Sequence, residues 1–244
     1  MSHHIIKAEN LCFSYPDGTK AIDGLSFEIT HGESVGIIGP NGAGKSTFIL
    51  QLNGFFLPTS GSLNIGGTPV TQKTKMEIRR HVGLVFQNPD DQLFMPTVFD
   101  DVSFGPLNLG LSAETAEKRT NEALSAVNCL ELKNRPSHHL SLGQKRAVSI
   151  ATILAMEPDI LVMDEPSSFL DSYSRRDLIH LLKKFHHTKI IVSHDLDLIM
   201  EVCERCIILN DGKIQADGMT KDMLLDKTLL EKNKLELPLS LQRN

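Results

Sequence analysis

Short apolar runs alternate along the chain with segments whose apolar positions recur every three or four residues. Five runs read as buried strands: Ser34 to Ile38, Val82 to Phe86, Ile160 to Met163, Ile190 to Val192 and Cys206 to Leu209. Helical spacing predicts helices over Lys45 to Asn53, Glu114 to Val127, Gly143 to Met156, Tyr173 to Phe185 and Asp195 to Cys203. This alternation is the pattern of an α/β protein with a mainly parallel sheet. Two regions break it. The first 30 residues carry Ile5 to Glu9, the tight-turn chemistry of Pro16-Asp17-Gly18, and Leu25 to Ile29, which together read as an antiparallel lobe. The stretch from about 88 to 156 is mostly helical pattern between two strand candidates and reads as a helical insertion. The α/β core then falls at about 31–87 and 157–219, leaving a charged C-terminal tail, 220–244. In that tail Lys221 to Asp226 reads as a short amphipathic helix, and the residues beyond Pro238 are expected to be loose.

Composition narrows the picture. With 244 residues, 41% apolar and 23% charged, the chain has a soluble globular make-up and is long enough to bury a sizeable core. No apolar run approaches the ~18 residues of a membrane span, and Met1 to Asn10 lacks the apolar stretch of a signal peptide. Any membrane role must therefore run through a protein partner. The net charge of -5 speaks against a surface built for nucleic-acid backbones. The cysteines, Cys12, Cys129, Cys203 and Cys206, are expected to be reduced thiols. Cys203 and Cys206 form a CxxC without a second pair, and Cys206 opens an apolar run, so packing is the expected role. The adjacent pairs His3-His4, His138-His139 and His186-His187 are poor chelates, because neighbouring side chains diverge.

The strongest chemistry lies in Gly39-Pro40-Asn41-Gly42-Ala43-Gly44-Lys45-Ser46-Thr47, which matches GxxxxGK[ST] in full between a strand and a helix. Glycines let successive backbone N–H groups converge on one anion, and the helix N-terminus adds partial positive charge. Lys45 is placed to reach the β- and γ-phosphates of ATP, and Ser46 a Mg²⁺ ion. A second strand ends in Asp164-Glu165. At the carboxyl end of a parallel strand, adjacent carboxylates diverge, so Asp164 can serve Mg²⁺ while Glu165 polarises an attacking water.

With Leu140-Ser141-Leu142-Gly143-Gln144, Asp164-Glu165-Pro166, Ser168 to Asp171, His194 after a strand, and Gln87 after Val82 to Phe86, the chain resembles the ABC ATPases along nearly its whole length. The resemblance implies a P-loop (RecA-like) core. Ser141, Gly143 and Gln144 fall in the signature, His194 at the switch histidine, Gln87 at the Q-loop glutamine near metal and water, and Tyr15 where an aromatic stacks on adenine. It also implies a head-to-tail dimer, homomeric or with a related ATPase, in which Ser141 of one copy clasps the γ-phosphate held by the other. Leu142 replaces a signature glycine and should make that turn less free; Phe169 replaces a small residue of the D-loop.

The stretch Asn88 to Phe94 and Thr97 to Pro106 is similar to that of energy-coupling factor importers. There it docks on coupling helices of a transmembrane subunit, which works beside a substrate-binding membrane subunit. Asp90 and Asp91 would suit basic partner side chains. The implied place is the cytoplasmic face of the cell membrane, peripherally, and the implied activity is ATP hydrolysis driving transport. The short C-terminal region leans towards cobalt or nickel as cargo, with a vitamin as the alternative. A soluble ABC ATPase acting on nucleic acid fits less well, since the chain has neither a long coiled coil nor a second ATPase domain.

Overall fold

The computed structural model describes residues 4–242. In chain order the elements begin with β1 (His4–Ser14), β2 (Lys20–Thr30), β3 (Ser34–Ile38), α1 (Lys45–Leu52), β4 (Ser60–Ile65), β5 (Thr68–Pro69), α2 (Lys75–His81) and β6 (Val82–Val85). Three helices follow, α3 (Val98–Asn108), α4 (Ala113–Ala126) and α5 (Leu142–Leu154). The chain then runs through β7 (Ile160–Asp164), α6 (Ser172–Lys184), β8 (Thr188–Val192), α7 (Leu196–Val202), β9 (Arg205–Asn210) and β10 (Lys213–Met219) to α8 (Thr220–Leu225) and α9 (Lys227–Lys232).

Two sheets organise these elements. The larger has strand order β10-β9-β3-β8-β7-β6. Its first five strands in sequence, β3, β6, β7, β8 and β9, run parallel, and β10 closes one edge antiparallel. Each central strand sends alternate side chains to two different cores. Ile160 and Val162 of β7 face the core shared with α1 and the antiparallel sheet. Leu161 and Met163 face the core shared with α5, α6 and α7. A period of two with both faces buried is why these strands read as continuous apolar runs. Cys203 and Cys206 lie in the second core, and burial pushes the Cys203 thiol up to about 12. Packing is thus their role.

The antiparallel sheet has order β2-β1-β4-β5. β1 and β2 meet across the Pro16-Asp17-Gly18 turn, where Gly18 N–H donates to Tyr15 O at 2.9 Å and Thr19 N–H to Asp17 Oδ1 at 2.9 Å. The sheet extends well past residue 30, because Ser60–Ile65 returns to pair with β1. That strand is hard to see in the sequence: only Leu63 and Ile65 face the core, after a polar Ser-Gly-Ser start.

Between β6 and β7 lie α3, α4 and α5 and no strand, as the helical pattern requires. The C-terminal end departs from expectation. The chain past Pro238 is fastened, not loose: the Asp197 carboxylate accepts the Ser240 N–H at 3.3 and 3.4 Å and its hydroxyl as well. Leu235 and Leu237 pack on the core just before it. Of the histidine pairs, His3 lies outside the described residues.

Candidate active site

The carboxyl ends of β3 and β7 meet in one cleft of roughly 520 Å³. The loop after β3 turns into α1 at Gly44, whose φ is +97° and whose Cβ, were there one, would lie 2.4 Å from Ala21 O. Only glycine fits this turn. The loop leaves Asn41, Gly42, Ala43, Ser46 and Thr47 lining the cleft, with Gly39 and Pro40 beneath. The buried Lys45 ammonium donates to Gly39 O at 2.8 Å and to Pro40 O at 3.0 Å, and lies 3.4 Å from His194 Nε2. Burial lowers its pKa, opposed by the carboxylates of Glu165 and Asp164.

Those carboxylates are set by the end of β7. Asp164 is the last residue of the strand and is bonded to the Ser46 hydroxyl. Burial raises its pKa; that hydroxyl, Lys45, Arg146 and His194 act against the rise. Glu165 leaves the strand at φ +46° and is 8% exposed. Its Oε2 accepts from Ser193 Oγ at 3.2 Å and from the His194 N–H at 3.1 Å. Its Oε1 is buried with no hydrogen-bond partner, 3.6 Å from His194 Nε2. Burial raises this pKa too, opposed first by the His194 backbone N–H. An aimed, half-satisfied carboxylate next to a lysine and a histidine is the chemistry of a general base awaiting a proton donor.

Gln87 and Tyr15 line the same cleft. The Tyr15 hydroxyl shares a 2.8 Å hydrogen bond with Thr47 Oγ1, and its ring stands edge-on to Phe13 and Phe56, so the aromatic position is rigid. Sequence reasoning missed three lining residues, Thr19, Lys20 and Ala21, and named Ser168 only as the start of the Ser168 to Asp171 stretch. It also passed over Ser193, whose only signal was its place just before His194.

Ser141, Gly143 and Gln144 do not join this cleft. They line a separate cavity with Leu170, Tyr173 and Ser174, between α5 and α6. Ser141 caps α5: its Oγ accepts from Gln144 N–H at 3.3 Å, and Gln144 Oε1 accepts from Ser141 N–H at 3.0 Å. This reciprocal capping leaves the helix N-terminus well formed. Leu142 is the first residue of α5, outside the left-handed region, so its replacement of glycine costs the backbone nothing, contrary to the expected constraint. Gly143 is the glycine that packing requires, since a Cβ there would lie 2.8 Å from Ser174 Oγ. Phe169 sits at φ +63° and is 80% exposed.

A family model described as ABC transporter matches residues 22–168, which spans the loop, Gln87, the Ser141 helix and both carboxylates. The chain belongs to the ABC transporter ATPase family. Members of this family hydrolyse ATP to power transport, so this ABC chain is an ATPase coupled to transport. It is 47% identical to an energy-coupling factor transporter ATP-binding protein, EcfA, of Methanocaldococcus jannaschii, over 96% of this chain and 86% of that protein. Among solved structures it is similar to cbiO1 of Clostridium perfringens, described as part of the ABC transporter complex cbiONQ, with TM-score 0.84 and 37% identity over 95% and 94% of the two chains. It is also similar to the ATP-binding cassette MJ0796, solved as a dimer bound to ADP and Pi, with TM-score 0.79 and 30% identity over 88% and 98%. The ABC fold accounts for the α/β core, the antiparallel lobe and the helical insertion alike.

Proposed function

We propose that this ABC ATPase works as a head-to-tail dimer on the cytoplasmic face of the cell membrane, energising an energy-coupling factor type importer of cobalt or nickel ions. The observation that carries the dimer is the separation of Ser141 from the phosphate cleft of its own chain. A capped helix N-terminus is an anion site, and a second copy brings it over the triphosphate. The dimeric state of MJ0796 supports the same arrangement.

The residues in the cleft fit both ATP and Mg²⁺. Ser46 and Asp164 are already bonded to each other, and with Gln87 they offer the oxygen donors that a hard cation takes. Bound there, Mg²⁺ would neutralise charge on the phosphates. Lys45 exchanges its two loop carbonyls for phosphate oxygens. Glu165 Oε1 takes the proton of the attacking water, and the Ser193 hydroxyl and His194 N–H hold that carboxylate's other oxygen so that it cannot turn away. His194 Nε2 faces both Lys45 and Glu165 and donates to the γ-phosphate. Tyr15, fixed by Thr47, stacks on the adenine.

The base must be ionised to act. Burial raises the pKa of Glu165 above its ordinary 4.5, so turnover falls as pH drops through that raised value. The acid limb of kcat/KM, which reports the free enzyme, is therefore expected above pH 4.5. An acid limb at or below that value means Glu165 is not the titrating base.

On the docking face, Asp90 is paired through Oδ1 with Lys145 at 2.6 Å yet stays exposed, and Asp91 is exposed beside it. Beside them, Phe94 and Phe104 stand exposed, edge to face at 5.1 Å, with Leu107 exposed on the same helix α3. Exposed aromatics around an acidic rim suit an amphipathic coupling helix of a transmembrane subunit. Paired Phe94→Ser and Phe104→Ser changes are expected to cut recovery of the membrane complex at least ~5-fold, about 1 kcal/mol. The isolated chain's ATPase should stay within about twofold, because surface changes of this kind barely alter the fold. Equal recovery of wild type and variant would remove this face from the interface.

The cargo does not touch the ATPase. The similarities to EcfA and to cbiO1 support a transporter of the energy-coupling factor group, for which cobalt or nickel is the cargo proposed and a vitamin the alternative. Purifying the chain with its membrane subunits and measuring uptake of cobalt, nickel and vitamins into vesicles decides between them. Uptake of none of these, with nucleic acid retained on the purified chain, would overturn the importer reading.

A further inference from the structure

The segment from Phe86 to Gln92, which carries Gln87, is tied to α5 by three side chains. Arg146 donates through Nη1 to Phe86 O at 2.6 Å and through Nη2 to Gln87 O. Gln92 accepts the Phe86 N–H at 3.1 Å and donates to Ser149 O at 2.8 Å and Thr152 Oγ1 at 2.7 Å. Lys145 reaches Asp90 at 2.6 Å. Arg146 is 2% exposed and, among the described residues, no carboxylate touches it; Asp164 acts on it only through space. Its Nε has no partner at all. A buried cation with no carboxylate in contact is a costly way to stabilise a fold, since an apolar side chain of the same volume often does as well or better. What the guanidinium supplies instead is geometry: a rigid fork that fixes two consecutive carbonyls.

α5 begins at Ser141. In the head-to-tail dimer proposed above, on which this inference rests, Gln87 serves the chain's own nucleotide while Ser141 serves the nucleotide held by the partner. We infer that Arg146 is a positioning residue that joins the Gln87 segment and the signature helix into one body, coupling the two composite sites of the dimer. A shift of the Gln87 segment on binding ATP then moves Ser141 at the other site by the same displacement. Coupling of this kind needs a contiguous element that both sites bias, and the Arg146 fork is that element here.

The test uses Arg146→Met, which removes both bonds at similar volume, and Arg146→Lys, which keeps a cation but not the fork. Hydrolysis by the purified chain is measured against ATP concentration. The wild type is expected to approach a Hill coefficient of about 2, one per site, the Lys variant to fall between, and the Met variant to approach about 1. kcat should fall in the same order, by roughly tenfold to a hundredfold for Met, as expected when a catalytic group is misplaced by about an ångström. Binding of a fluorescent ATP analogue to the monomer should stay within about twofold, because the phosphate loop is untouched. If Arg146→Met melts early, Gln92→Met severs the neighbouring link to Ser149 and Thr152 and is expected to lower the Hill coefficient in the same way. Identical Hill coefficients and kcat across wild type and variants overturn the inference. ATP-dependent dimerisation of Glu165→Gln is followed by light scattering in parallel. If no dimer forms, the head-to-tail reading itself has failed; if it forms and cooperativity ignores Arg146, only the coupling role has.

Discussion

Glu165→Gln is expected to hold ATP while turning it over about 10²- to 10⁴-fold more slowly, the usual contribution of a positioned general base. The geometry separates the two functions cleanly. In the proposed reading ATP is gripped by the loop 39–44, Lys45, Ser46 and Thr47, and the Lys45 ammonium is held in place by the carbonyls of Gly39 and Pro40. Glutamine keeps an oxygen for the Ser193 hydroxyl and the His194 N–H, so the turn at the end of β7 survives. What it loses is the ability to take a proton at the position of Oε1, the buried oxygen that has no hydrogen-bond partner among the described residues. In the head-to-tail dimer proposed above, hydrolysis is the step that parts the subunits, so the variant should accumulate an ATP-held dimer on size-exclusion chromatography. Near-normal turnover would show that another group activates the water.

The same substitution should stabilise the nucleotide-free fold. Burial raises the folded pKa of Glu165, so its contribution to stability is full only below the unfolded value and is lost as pH rises through the folded one. At neutral pH the carboxylate is therefore a liability that glutamine removes. A gain of about 1 kcal/mol corresponds to roughly 2–4 °C in melting temperature for a domain of this size, read by differential scanning fluorimetry at pH 7. The gain should shrink as pH is lowered. A melting point lowered by Glu165→Gln would mean that the charge is better compensated by Lys45 and His194 than its burial indicates.

The sequence carried the core and the cleft well, and for a physical reason. Strands buried on both faces, such as Ile160–Asp164, are apolar throughout, and helices such as Leu142–Leu154 begin at a visible cap. Local rules decide both. Less legible was whatever depends on distant partners. β4 shows only two inward residues and becomes a strand because β1 offers it an edge. Ser240 is fixed by Asp197, more than 40 residues earlier, which no local pattern announces. Asp90 reads as a free acid until α5 brings Lys145 to it, and Arg146 reads as one more basic residue after the signature until its burial is seen. Leu142 reads as a strained departure, yet the tight position is Gly143, one residue on, set by Ser174 from the facing helix.

Lys45→Ala should abolish productive ATP binding while leaving a folded protein. The ammonium is buried and lies between loop carbonyls on one side and Asp164 and Glu165 on the other. Phosphate charge entering the cleft meets those carboxylates, and Lys45 is the cation in the loop itself that offsets them. Removing one partner of a buried charge pair costs about 3–5 kcal/mol, or roughly 10²- to 10³-fold or more in affinity. The fold should tolerate the loss, because burial depresses the Lys45 pKa and so its charge opposes folding as pH falls through the unfolded value. Its partners, the backbone carbonyls of Gly39 and Pro40, are neutral, so the loss leaves no buried charge uncompensated in the loop itself. The decisive measurement is thermal shift with and without Mg-ATP. A bound ligand at 100 times its Kd adds about 2.7 kcal/mol to wild-type stability, and the variant should show no shift at the same concentration. An equal ATP-dependent shift in both proteins would place the triphosphate somewhere other than this loop, and the roles given to Ser46, Asp164 and Glu165 would fall with it.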